Sequence, residues 1–141
     1  AMGQKGDQPW RIGIRHPSRH GVLAAVTVSG EESIMTSGNY ERYREYQGER
    51  YSHIIDPRNG KPVAGITSVT VLACSGSLGD AASTALTVAG LLDWQRMAKQ
   101  MMVKYVMLVD EAGTVYLTKD MEKRVQFLSP KEVHTVVSDT N

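Results

Sequence analysis

Alternating apolar and polar positions predict a series of short strands in the first half of the chain. Bulky apolar residues alternate with basic or small residues over positions 10–15, which is the pattern of a half-buried strand. The apolar runs 23–28 and 34–37 flank a turn-forming segment and predict a hairpin. The runs 40–46 and 50–55 flank a Gln-Gly-Glu turn and predict a second hairpin.

The second half of the chain adds helical patterns between strands. The β-branched run 68–74 predicts a buried strand, and apolar residues at helical spacing over 80–92 predict a helix. A second helical pattern covers 93–101. The runs 105–109 and 114–118 flank an Asp-Glu-Ala-Gly turn and predict a further hairpin.

These elements predict an α+β domain, in which two or three helices pack on a mostly antiparallel sheet. Residues 56–62 are dense in turn formers and are expected to form an ordered loop. Residues 129–141 are polar and weakly patterned, so we interpret them as a tail that follows a domain formed by residues 1–128.

Composition and charge narrow the class of protein. With 141 residues, 41% hydrophobic and 22% charged, the chain fits one globular domain. The formal charge of +1 disfavours nucleic-acid binding, and the single Cys74 excludes an intramolecular disulfide framework and a cysteine-based zinc site. No apolar run approaches the roughly 20 residues that span a bilayer. Because the chain begins Ala1-Met2, we expect a processed product or part of a longer protein, with any export signal outside it.

Three polar segments are candidates for chemistry, at 36–42, 51–60 and 79–85. Each also has an ordinary structural explanation. The Ser-Gly-Asn at 37–39 suits a turn, and a histidine beside two isoleucines suits a sheet rim. An aspartate before proline suits a turn start, and an aspartate at a helix start is favoured by the macrodipole.

Taken together, the segments also suit a phosphate-handling site. Asp80 and Thr84 are four residues apart, so their oxygens would share one face of the first helical turn. Magnesium suits such a sparse pair because it keeps several waters and takes other oxygens from substrate phosphates. The positive end of the helix would also attract a diphosphate, and His53 and Asp56 would supply a base and an orienting carboxylate.

The string YSHIIDPRNGKP at 51–62 closely resembles the signature of the ApbE family, formerly called thiamine biosynthesis lipoproteins and now FAD:protein FMN transferases. The flanking motifs agree in order: PWRIGI at 9–14, TSGNYERY at 36–43, SVTV at 68–71, and DAASTAL at 80–86 followed by Gly90. The resemblance covers about residues 9–128, and this stretch is similar to the C-terminal part of a longer family member. The resemblance therefore implies an ApbE-like fold.

The resemblance implies a transferase that uses FAD as substrate together with Mg²⁺. Family members move FMN from FAD onto a threonine or serine hydroxyl of a partner protein and release AMP. The implied partner is a flavin-acceptor protein such as a subunit of a membrane redox complex, and the implied location is the bacterial periplasm or cell envelope. Two alternatives stay open: a non-catalytic flavin-binding or interaction module, and a magnesium-dependent FAD pyrophosphatase that yields FMN and AMP.

Roles carry over to the matching positions. The resemblance implies that the metal ligands are Asp80 and Thr84, that the catalytic residues are His53 and Asp56, and that the cofactor-binding residues are Ser37, Gly38, Asn39, Ile54 and Arg58. The chain departs from the family pattern at Asn39 (commonly aspartate), Asn59 (commonly threonine) and Gly79 (usually alanine). The family's upstream half, with much of the FAD pocket, is not in this sequence, which leaves the activity of the isolated chain open.

Overall fold

The computed structural model describes residues 5–28, 30–39, 43–129 and 133–139. The strands in these ranges are β1 (Trp10–Arg15), β2 (Val22–Val28), β3 (Ser33–Gly38), β4 (Tyr43–Tyr46), β5 (Glu49–Ser52), β6 (Ile55–Asp56), β7 (Lys61–Pro62), β8 (Ile66–Ala73), β9 (Tyr105–Asp110), β10 (Val115–Thr118), β11 (Val125–Phe127) and β12 (Thr135–Ser138). The helices are α1 (Gly76–Ala89), α2 (Trp94–Gln100) and α3 (Lys119–Glu122). In the part of the chain that is described, no helix has the length and apolar character needed to cross a membrane.

The strands form a central five-stranded sheet and three smaller ladders. The central sheet has the order β12-β10-β9-β8-β3 and is antiparallel except where β12 pairs parallel to β10. A second sheet has the order β1-β2-β11, and two ribbons pair β4 with β5 and β6 with β7. The expected α+β class with a mostly antiparallel sheet is confirmed.

Apolar residues of the two middle strands alternate between two cores. On β8 and β9, Val71 and Val106 pack toward α1 and α2, while Leu72 and Met107 pack toward β2 and α3. Both faces of these strands are therefore buried, which explains why their sequences are nearly continuous apolar runs rather than alternating ones. Helices α1 and α2 lie on one side of the central sheet, and α3 and the three-stranded sheet lie on the other.

The predicted hairpin between residues 23–28 and 34–37 is wrong. Strand β2 pairs with β1 and β11, whereas β3 pairs with β8 at the edge of the central sheet. Both segments do form strands, but the chain changes sheets between them. Either strand could satisfy its backbone hydrogen bonds with several partners, so the local pattern does not determine the pairing.

The other two hairpins are confirmed. Strands β4 and β5 pair antiparallel, although β5 ends at Ser52 and Ile55 belongs to the β6–β7 ribbon. Strands β9 and β10 also pair antiparallel. The structure adds β12 in the segment 129–141, whose weak pattern predicts a tail.

Helix α1 begins four residues earlier than the sequence predicted. Ser75 caps it, with Oγ accepting a hydrogen bond from the Leu78 N–H at 3.4 Å, and no acidic residue lies in the first turn. The apolar pattern does not predict the first turn, residues 76–79, because this turn contains two glycines. A Cβ at Gly79 would lie 3.2 Å from Met35 Cγ on β3, so glycine here permits close packing of α1 against β3. The expectation that Asp80 lies on the first turn, at the positive end of the helix, is therefore wrong.

Candidate active site

A cavity of about 740 Å³ lies where β3, the loop after β5 and α1 meet, a volume typical of small-molecule sites. The residues that line it are Thr36, Ser37, Gly38, His53, Ile54, Ile55, Pro57, Asp80, Thr84 and Val88. The α1 residues follow one another at intervals of four, so they form a single stripe along the helix. The structure thus brings together side chains from all three polar segments.

Asp80 and Thr84 form the oxygen-bearing part of the helical wall. Both side chains are exposed and line the cavity from the second and third turns of α1. A carboxylate and a hydroxyl are donors that Mg²⁺ accepts, and Mg²⁺ binds commonly through one or two carboxylates plus substrate phosphates. No cluster of three or more His, Cys, Asp or Glu suited to a metal is present among the residues described. The donor set therefore fits a magnesium ion that completes its coordination with water and diphosphate oxygens.

Three hydroxyl groups connect this wall to β3. Ser37 Oγ lies 2.8 Å from Ser83 Oγ and 3.2 Å from Thr84 Oγ1. Ser83 Oγ and Thr84 Oγ1 are also within donating distance of the Asp80 carbonyl oxygen, at 2.9 and 3.2 Å. Ser83 is fully buried, and sequence reasoning missed it. The available signal was a hydroxyl residue on the sheet-facing side of an apolar helix.

The loop after β5 supplies the opposite wall. His53 is exposed and lines the cavity, while Ile54 beside it is buried. The Ile54 N–H donates to Ser52 Oγ at 3.1 Å, and the Ile54 carbonyl accepts from the Val63 N–H at 2.9 Å. Both bonds are made by Ile54, so they fix the backbone directly after His53 on the cavity wall, between the β4–β5 and β6–β7 ribbons.

Asp56 is occupied within its own loop. Its carboxylate accepts hydrogen bonds from the Arg58 side chain at 2.7, 2.9 and 3.1 Å, from the Arg58 N–H at 2.9 Å and from Asn59 Nδ2 at 3.3 Å. The hydrogen bonds from Arg58 lower the pKa of Asp56 below its ordinary value. Because Asp56 does not line the cavity, these contacts support a structural role, and its catalytic role stays a prediction.

Arg58 also links the loop to α1. Its Nη2 donates to the Val88 carbonyl at 2.8 Å in addition to Asp56 Oδ2. We call this arrangement of Asp56, Arg58 and Val88 the loop clasp. Arg58 is not among the cavity-lining residues, so the clasp positions the wall that carries His53 relative to the wall that carries Asp80.

Asn39 fastens the end of β3 to β8. Its backbone N–H donates to the Thr67 carbonyl at 3.1 Å, and its Nδ2 donates to the Ile66 carbonyl at 3.1 Å. Ser37 and Gly38 line the cavity, whereas Asn39 does not. The rest of the predicted motif, Tyr40, Glu41 and Arg42, lies outside the described residues.

Comparison with known proteins identifies the family to which the chain belongs. The sequence profile of the ApbE family matches residues 1–108, and the chain belongs to this family. A FAD:protein FMN transferase of Rhodobacter capsulatus is 47% identical over 89% of this chain and 24% of its own length. The FAD:protein FMN transferase of Escherichia coli K12 is 35% identical over 100% of this chain and 38% of its own length.

Solved structures agree with the fold. The crystal structure of an ApbE protein from Thermotoga maritima has a TM-score of 0.79 and 32% identity, over 87% of this chain and 40% of that one. The apo form of the Pseudomonas stutzeri flavinyl transferase ApbE has a TM-score of 0.68 and 31% identity, over 86% of this chain and 39% of that one. The chain therefore spans about a quarter to two-fifths of the length of these relatives.

Proposed function

We propose that this chain forms the metal-binding and base-bearing part of a flavin transferase active site. The reaction would move FMN from FAD onto a threonine or serine hydroxyl of an acceptor protein and release AMP, with Mg²⁺ as the cofactor. The observation that carries the proposal is the single cavity in which Asp80 and Thr84 on α1 are joined by His53 from the signature loop, in a chain of the ApbE family.

The proposed chemistry divides between the two walls of the cavity. The acceptor oxygen forms a bond to the FMN phosphorus while the phosphorus–oxygen bond to AMP breaks, and the hydroxyl proton passes to the His53 imidazole. When bound, Mg²⁺ would neutralise the diphosphate and the departing AMP. Asp80 and Thr84 would hold the ion, and His53 would take the proton, since histidine is the side chain that most often serves as a general base. Ile54 presents an apolar surface beside His53, where part of the flavin nucleotide would pack.

Asp80→Ala tests the proposal directly. We expect the variant to lose at least about 100-fold in flavin transfer at saturating Mg²⁺, because phosphoryl transfer depends mainly on positioning and charge neutralisation. The assay follows covalent flavin on the acceptor by in-gel fluorescence, using the protein with FAD and Mg²⁺. Asp120→Ala is the matched control, because Asp120 is an aspartate on α3 that lies outside the cavity and pairs with Lys123. Equal activity in the two variants would contradict the metal assignment.

The same assay separates the alternatives. A FAD pyrophosphatase would accumulate FMN and AMP without an acceptor, at a rate that the acceptor does not change. A flavin-binding module would bind FAD with no turnover in either condition. A transferase would release AMP in step with covalent flavin on the acceptor.

The location and partner are further parts of the proposal. Family resemblance supports a bacterial periplasm or cell-envelope location and an acceptor in a membrane redox complex. Fractionation of the source cells, followed by detection of the protein and of covalently flavinylated polypeptides, tests both. Recovery of the protein only in the cytoplasmic fraction would contradict this location.

A further inference from the structure

The hydroxyls of Ser37, Ser83 and Thr84 have fewer protons than contacts. They make four short contacts, two between hydroxyls and two with the Asp80 carbonyl. Each hydroxyl carries one proton and two lone pairs. Three protons therefore serve four contacts, and at any moment one contact has no proton in it.

The distances indicate which of the four contacts has no proton in it. The Asp80 carbonyl has two lone pairs, and α-helical geometry directs the Thr84 N–H at one of them. Ser83 Oγ, at 2.9 Å, is closer to this carbonyl than Thr84 Oγ1, at 3.2 Å, and takes the remaining lone pair. Ser37 then donates to Ser83 across 2.8 Å, and Thr84 donates to Ser37 across 3.2 Å. Every hydroxyl in this arrangement donates once.

We propose that these groups form a directed hydroxyl chain, from Thr84 through Ser37 and Ser83 to the Asp80 carbonyl, and that Ser83 is a positioning residue for the cation site. Within the hydroxyl chain, Thr84 Oγ1 donates but does not accept, so both of its lone pairs are available to a divalent ion. The inference rests on the proposed function, because it concerns the same ion.

Removing the buried end of the chain has a specific consequence. Ser83 is fully buried, so water does not readily replace its hydroxyl. Without it, the Ser37 proton retains one neighbour in the cluster, Thr84 Oγ1 at 3.2 Å. Ser37 would then donate to Thr84, occupying one of its two lone pairs and placing a positive hydrogen near the lone pair that is left for the cation. Removing the Ser37 hydroxyl as well would eliminate this competition.

The test is a titration of the chain with Mn²⁺ alone, in which the EPR signal of the free ion reports binding. Because a neutral hydrogen bond contributes about 0.5–1.5 kcal/mol, we expect Ser83→Ala to weaken Mn²⁺ binding about three- to tenfold. The double variant Ser37→Ala/Ser83→Ala should return to within about twofold of Ser37→Ala, which should itself bind more tightly than Ser83→Ala. A merely structural defect would not be relieved by a second deletion, so additive losses would overturn the proposal.

Two further variants complete the experiment. Thr87→Val is the matched control, because Thr87 is a buried hydroxyl residue on the same helix that donates to the Ser83 carbonyl at 2.8 Å. The Mn²⁺ affinity of this variant should stay within about twofold of the parent.

Asp80→Ala tests the ion site itself. If Asp80→Ala leaves Mn²⁺ binding unchanged, the proposed metal site and the hydroxyl chain both fail. If Asp80→Ala abolishes binding while Ser83→Ala has no effect, only the hydroxyl chain fails. Thermal melts show whether each variant is folded; should Ser83→Ala be unfolded, Ser83→Cys replaces it, with the same predicted relief by Ser37→Ala.

Discussion

Position 39 requires an amide rather than a carboxylate, because the Asn39 side chain donates a hydrogen bond. Its Nδ2 bonds to the Ile66 carbonyl, at the irregularity in the pairing of β8 with β9. Aspartate, the residue that the resemblance implies is common at this position, cannot make this bond when ionised. The departure from the family pattern therefore has a structural explanation in this chain.

Asn39→Asp is expected to lower the free energy of unfolding by about 1–2 kcal/mol, since it removes a hydrogen bond and sets a carboxylate against a carbonyl oxygen. Denaturant unfolding measures the loss. Gln126→Glu makes the same chemical change where the amide oxygen accepts from Arg11 Nη2, so it should cost nothing measurable. Equal losses in the two variants would contradict the explanation.

His53→Ala separates catalysis from binding at the cavity. If His53 takes the acceptor proton, the variant should lose about 100- to 10,000-fold in kcat while KM for FAD changes by less than about threefold. Steady-state kinetics of flavin transfer provide both constants, and His20→Ala, in the exposed β1–β2 loop, is the control. A raised KM with normal kcat would make His53 a binding residue.

Residues whose placement follows from spacing were predictable, and those whose contacts depend on how the chain folds back were not. Asp80 and Thr84 share a helix face wherever the helix starts, so their placement on one wall survived the error at its first turn. Asp56 before proline indicates a turn but does not show that Arg58 folds back onto it. Ser83 is small enough to fit an apolar stripe, and its partner Ser37 lies 46 positions away in the sequence.

At the scale of elements, the loop clasp links the pH dependence of the stability of the fold to the geometry of the cavity. Arg58 lowers the pKa of Asp56 from its ordinary value of 3.8. A carboxyl whose pKa is lowered in the folded state stabilises the fold fully above its unfolded-state pKa. That stabilisation decreases as the pH falls below this value and is lost below the folded-state pKa.

Arg58→Met should therefore reduce stability at pH 6 and make the decline below about pH 4 shallower than in the parent. Because the clasp also ends on Val88, KM for FAD should rise about three- to tenfold in the same variant. Thermal melts from pH 6 to pH 2.5 test the first effect. Arg44→Met, on the exposed β4 strand, removes a charge away from the clasp and should leave the pH profile parallel to that of the parent.

For the whole molecule, the α+β class was predictable because strand and helix patterns are local features of the sequence, but the division of the strands into sheets was not. Strand β3 pairs with β8 across about 30 intervening residues, and β2 pairs with β11 across a longer interval. Such pairings depend on which surfaces meet in three dimensions. Strand β12 was missed for a related reason. Its valines are partly exposed at a sheet edge, where little hydrophobic signal is required.

Strand β12 makes the last residues part of the central sheet. It pairs parallel with β10, the Val115 N–H donates to the His134 carbonyl at 2.9 Å, and Val133 packs against the core. Removal of residues 133–141 should lower the free energy of unfolding by about 1–3 kcal/mol, since several ladder hydrogen bonds at about 1 kcal/mol each are offset by the entropy gained when the segment is released. It should also promote aggregation, because β10 becomes an uncovered edge.

The control is a shorter truncation that removes only residues 139–141. It eliminates the exposed ion pair of Lys119 with Asp139, which is worth at most about 1 kcal/mol, and leaves β12 in place. Urea unfolding compares the free energies, and light scattering reports association. If the two truncations behave alike, β12 contributes nothing to the sheet, and residues 129–141 act as the separate tail that their composition predicted. If only the longer truncation is destabilised, the stable unit extends past residue 128 and includes β12.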